Sequence, residues 1–177
     1  MRFSINIEAV LNTLRSIRAE EVGFCYEFFY RENARDYAQN MCDSVACICG
    51  HAIVSNGVLE ERGDSVTKTE KVWLDEHTPR DMRIKAWRHI NCLSAASCTE
   101  ERFSQYNKMI LNLPAFSKIP PSTAIDLLLA FMDDFALERQ ALELRRRWRE
   151  EIANTDQTSG DGQAGPVPVP RENFSAT

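Results

Sequence analysis

Residues 41–57 read MCDSVACICGHAIVSNG and bring three cysteines, a histidine and two glycines into the length of about five helical turns. A metal module, a nucleophile with its base and a buried helix of small residues each predict a different architecture here. The spacing predicts a helix that opens at Asp43 or Ser44 and closes at Asn56-Gly57, where glycine supplies the left-handed residue. On such a helix Cys47 and His51 share a face, and Cys49 lies toward the opposite side. Structural zinc takes four thiolate or imidazole donors, so a site would draw on Cys47, His51, Cys42 and Cys92, with Cys25, His89 and Cys98 as further donors. The paired C-x-x-C spacings that usually mark a zinc module are missing. A Cys47 thiolate with His51 as its base lacks an orienting third group. The third reading is packing. Ala46, Cys47, Cys49, Gly50 and Ala52 are small enough to let a second helix approach closely, and a buried thiol behaves as a small hydrophobe.

The chain around this stretch has 177 residues, 44% of them hydrophobic, which is enough for one domain with a substantial core. A net charge of -5 argues against general nucleic-acid binding, which needs a basic footprint. Residues 1–6, MRFSIN, interleave polar and apolar types, so a leader peptide is not expected. No apolar run is long enough to span a bilayer. A cytoplasmic chain follows as the expectation, with its six cysteines as thiols rather than a disulfide scaffold.

Helical periodicity dominates. Ile7, Val10, Leu11, Leu14 and Ile17 recur at helical spacing behind a capping Asn6. Gly23 interrupts ahead of the aromatic cluster Phe24, Tyr26, Phe28, Phe29 and Tyr30, and a polar helical stretch is expected over residues 33–40. Residues 65–74 alternate weakly through Val66, Lys68, Val72 and Leu74, which predicts a short hairpin or irregular loop. Thr78-Pro79-Arg80-Asp81 predicts a helix start with Thr78 as cap, carrying Met82, Ala86, Trp87, Ile90 and Leu93 inward. Another helix is expected from Ser97 or Thr99, with Phe103, Tyr106 and Ile110 inward. After Pro114, Pro120 and Pro121, the most apolar helix sets Ala124, Leu128, Phe131 and Phe135 on one stripe. Past Asp133-Asp134 the stripe moves to Leu137, Ala141, Leu144, Trp148 and Ile152, which predicts a break near Asp134 or a second partner surface. From residue 154 the composition turns to Gly, Pro, Ser and Thr, as expected of a disordered tail. The fold class predicted is therefore all-α. One helical domain covers residues 1–153, residues 137–153 are a candidate protruding interaction helix, and the tail is 154–177.

Cys42-x-Ser44-x-Ala46-Cys47-x-x-Gly50-His51-Ala52 resembles the C-G-T-x-A-C-x-x-G-H-A signature of small, largely uncharacterised bacterial and phage proteins. Asp43 stands where that signature has glycine. The resemblance extends over about residues 5–133, by similarity of helical pattern rather than further motifs. It implies a compact helical fold and a phage or mobile-element setting, and no reaction.

The chain shows no H-E-x-x-H, no G-x-S-x-G and no dinucleotide-binding glycine motif. In residues 138–151 five arginines alternate with four glutamates, which reads as a solvated helix face around Trp148 rather than a phosphate grip. The expected function is a non-enzymatic protein-binding module. It docks on a host protein, with inhibition of a defence complex as the concrete version, or pairs with a second copy. The contact residues would be Leu137, Ala141, Leu144, Trp148 and Ile152. A zinc-stabilised protein and an enzyme or ligand binder built on Cys47 and His51 are the alternatives.

Overall fold

Asn6 opens the first helix: its Oδ1 accepts the Ala9 N–H at 3.2 Å, and α1 runs over Ile7–Ala19. The computed structural model describes residues 1–19, 23–24, 30–32, 44–93 and 120–160. The expected helices over 33–40 and from Ser97 or Thr99 lie outside these residues, as do the side chains of the aromatic cluster. Within them six α-helices make an all-α fold, as the periodicity predicts. The rest are α2 (Ile48–Ser55), α3 (Ser65–Trp73), α4 (Arg80–Ile90), α5 (Pro121–Phe135) and α6 (Glu138–Gly160). A single 3-10 turn, Asn91–Leu93, follows α4. Three short strands, β1 (Gly23–Phe24), β2 (Tyr30–Glu32) and β3 (Ser44–Ala46), form a small sheet. In it β3 lies centrally, parallel to β1 and antiparallel to β2.

The core is built around α1, which packs against α2, α3, α5 and α6. Val10, Leu11, Leu14 and Ile17 are completely buried, as their helical spacing requires. Trp73 at the end of α3 is also fully buried, and its indole N–H donates to Thr13 Oγ1 at 3.1 Å. Thr13 in turn donates to the Ala9 carbonyl at 2.9 Å, so the polar edge of the buried ring is satisfied inside the core.

The first six residues thread between helices. Phe3 donates its N–H to the Phe135 carbonyl at 2.8 Å and accepts the Leu137 N–H at 2.9 Å. On the other side Asn6 donates to the Trp73 carbonyl at 2.8 Å. Gln140 closes the strap: its side chain accepts from Ile5 N–H at 3.0 Å and donates to the Ile5 carbonyl at 3.1 Å. The Phe3 ring packs on Phe135 with centroids 4.8 Å apart.

Several boundaries differ from the sequence reading. Residues 65–73 are a helix, not a hairpin. Asp64 caps it by accepting the Thr67 N–H at 2.8 Å, and its buried residues are Val66, Lys68, Thr69, Glu70 and Trp73. The helix after β3 begins at Ile48 rather than at Asp43 or Ser44, because Ser44–Ala46 pairs in the sheet and Cys47 is still extended (ψ 178°). Its end is as expected: Gly57 has φ +69°, and the Gly57→Val54 and Val58→Ile53 N–H···O bonds close a Schellman turn. Thr78 does not cap α4, since its buried Oγ1 has no hydrogen-bond partner among the described residues. The break expected near Asp134 falls at Ala136, which is extended where Phe3 bridges to it. The helix α6 continues to Gly160, seven residues past the expected end at 153.

Candidate functional site

Cys47, Cys49 and His51 are all at zero exposure, and six of the eight residues of α2 are buried. Cys47 stands at the start of α2, where its carbonyl accepts the His51 N–H at 2.9 Å as the first turn closes. The His51 ring reaches α1, with Nδ1 2.9 Å from Ser16 Oγ. The Cys49 carbonyl faces α3 and accepts from Thr69 Oγ1 at 3.4 Å. Asn56 clasps α2 onto α1 by donating to the Ala52 carbonyl at 2.8 Å and the Ala9 carbonyl at 3.2 Å. The small residues of this stretch thus bring α2 close to α1.

Among the described residues no three or more His, Cys, Asp or Glu side chains gather as a metal would require. Of the expected zinc set, Cys47 and His51 lie within the packed core. Cys42 lies outside the described residues, and Cys92 sits on the 3-10 turn Asn91–Leu93. His89 lies far along the chain on α4, its ring edge-on to Phe3 at 5.8 Å, and burial lowers its pKa.

The C-terminal stripe is also spent on the chain's own core. Leu144 is fully buried, Ala141 and Trp148 are buried, and Ile152 packs against the same cluster. Leu137 alone is outward, at 44% exposure. The covering surfaces are α1 and α5. Ion pairs fix this docking: Arg15 on α1 grips Glu151 with two hydrogen bonds of 2.9 and 2.6 Å, and Arg147 reaches Glu8 at 2.6 Å. Arg145 pairs with Asp133 across the α5–α6 corner. The two guanidinium groups beside Glu8 hold its carboxyl below the usual range. Arg146 pairs with Glu143 and Glu150 along the helix, so the arginine-rich segment is a solvated face.

What the folded chain leaves outward is a different set. Ile84 on α4 is 54% exposed and Leu142 on α6 is 64% exposed. Ile84 lies on one helical row with Arg80 and Arg88, and half-buried Trp87 stands beside it. Together with Glu70 and Arg83 they line a groove of about 490 Å³ between α3 and α4. Its floor is built. Glu70 accepts from Arg83 Nη1 at 2.7 Å, and the same guanidinium donates to the carbonyls of Thr78, Asp75 and Glu76. This face was missed in the sequence because attention went to the inward residues Met82, Ala86 and Ile90. The available signal was Ile84, an isoleucine off that stripe with arginine four residues to either side.

No family model matches the chain, and neither a curated protein nor a solved structure matches it.

Proposed function

We propose that this chain is a non-enzymatic protein-binding module that acts in the cytoplasm by docking on another protein. The setting implied by the Cys42–Ala52 resemblance makes a phage or mobile-element product acting on a host defence protein the concrete form. The observation that carries the reading is the row Arg80, Ile84 and Arg88 with Trp87. It sets an exposed aliphatic side chain between two arginines over a groove with a rigid floor. Arginine and tryptophan are enriched at the centres of protein interfaces. Cys47, Cys49 and His51 are fully buried, which supports a packing role for α2 rather than a substrate-facing one.

The test uses tagged full-length chain recovered from the cells that make it, followed by reconstitution from purified components. A protein partner that co-elutes at fixed stoichiometry, and rebinds when purified, is expected. A chain that elutes alone as a monomer from every extract would contradict docking on a partner and pairing with a copy alike.

A further inference from the structure

We infer that α6 is a charge-latched arm. Its near end, residues 137–140, is pinned to the N-terminal strap, and its far half opens from α1 when dissolved ions screen the pairs that hold it.

The two ends are held by different chemistry. At the near end the bonds are neutral: the Leu137 N–H donates to the Phe3 carbonyl at 2.9 Å, and the Gln140 side chain takes both backbone groups of Ile5 at 3.0 and 3.1 Å. Phe3 and Ile5 are buried, so salt hardly touches these bonds. Beyond Gln140 the bonds are ionic. Among the described residues three pairs cross from α6 to the helices that cover it: Arg147 to Glu8 at 2.6 Å, Glu151 to Arg15 at 2.6 Å, and Arg145 to Asp133. The four side chains that join α6 to α1 are 30–52% exposed, which leaves them open to screening. The screening length is about 10 Å at 0.1 M salt and about 3 Å at 1 M.

Apolar packing keeps the arm closed, and the charges set how seldom it opens. Ala141, Leu144 and Trp148 are buried and Ile152 packs on the same cluster, so the closed state predominates at any salt concentration. An exposed ion pair shifts an equilibrium by at most about fivefold, so weakening these pairs together raises the small open population by about tenfold. The contact of α1 with α2 has no such dependence, because α2 (Ile48–Ser55) contains no Asp, Glu, Lys or Arg. Opening of the far half therefore separates from unfolding of the core. What it uncovers is the stripe Leu144, Trp148 and Ile152, together with the surface of α1 and α5 beneath it.

The test reads side-chain access in the full-length chain. Leu144→Cys and, separately, Ile152→Cys are labelled with iodoacetamide at about 0.05 and 0.5 M sodium chloride, concentrations that bracket the loss of screening-sensitive attraction. The extent at each cysteine is read by peptide mass, with the buried native Cys49 on α2 as the internal reference for global opening. Two sites are used so that a packing defect at one does not decide the outcome. Labelling at both is expected to rise about tenfold with salt while Cys49 stays unchanged. Adding Arg15→Gln/Arg147→Gln is expected to give the fast rate already at low salt and to remove most of the salt response. Labelling that ignores salt, that rises only in step with Cys49, or that is the same with and without the two arginines would overturn the inference. None of these outcomes bears on the α3–α4 face, so the docking function stands or falls separately.

Discussion

Asp64 joins local structure to pH. Its Oδ1 accepts the Thr67 N–H at 2.8 Å and its Oδ2 accepts the Thr67 hydroxyl at 3.0 Å, satisfying one of the orphan donors of α3. The Thr67 N–H holds the carboxyl below its ordinary pKa. A carboxyl lowered by folding contributes stability that is present above the unfolded pKa and is lost as pH falls through the folded one. Asp64→Ala is therefore expected to cost about 1 kcal/mol at neutral pH by urea unfolding. The gap between the two proteins should close as the pH drops below about 4. A gap that stays constant with pH would mean the carboxylate does not cap α3. At this scale legibility depended on side-chain caps. Asn6 and Gly57 announce a helix start and stop by chemistry that is local and visible. Cys47 begins α2 with no side-chain cap bond, and Ser44–Ala46 is held extended by distant partners, so that start has no signature in its own residues.

Between elements, the interface of α6 with α1 and α5 decides what the C-terminal stripe is for. Leu144 is fully buried there, while Leu142 one face away is 64% exposed. Leu144→Ala is expected to cost about 2–5 kcal/mol through lost burial and the cavity left behind. Leu142→Ala should stay within about 0.5 kcal/mol of the parent, both measured by chemical denaturation. Similar small costs at both positions would mean that α6 does not pack as described. The stripe itself was legible from spacing; what covers it was not, because the cover comes from α1, more than a hundred residues away. Residues 65–73 show the opposite failure. Their buried residues are Val66, Lys68, Thr69, Glu70 and Trp73, and three of those five are polar. A buried threonine bonded to the Ser65 carbonyl and a glutamate paired with Arg83 carry no hydrophobic signal, so the helical period vanished and the weak alternation of Val66, Lys68, Val72 and Leu74 stood out instead.

At the scale of the whole molecule, the described residues Cys47, Cys49 and His51 are interior, and the proposed docking face is made of ordinary ones. The strap of residues 1–6 ties the end of α3 to the α5–α6 corner, and α1 binds α2, α3, α5 and α6 into a single core. Among the described residues no helix is long and apolar enough to cross a membrane. The outward apolar residues Ile84 and Leu142 lie on different helices, which allows one face to serve as the test and the other as its control. The decisive measurement is site-specific photo-cross-linking of the full-length chain inside the cells that make it. p-Benzoylphenylalanine is placed at position 84 or, separately, at position 142. Docking through the α3–α4 groove predicts one discrete protein adduct from position 84, absent from position 142 and lost when Arg80 and Arg88 are changed to glutamate. No adduct from position 84, or the same adduct from both positions, would contradict it.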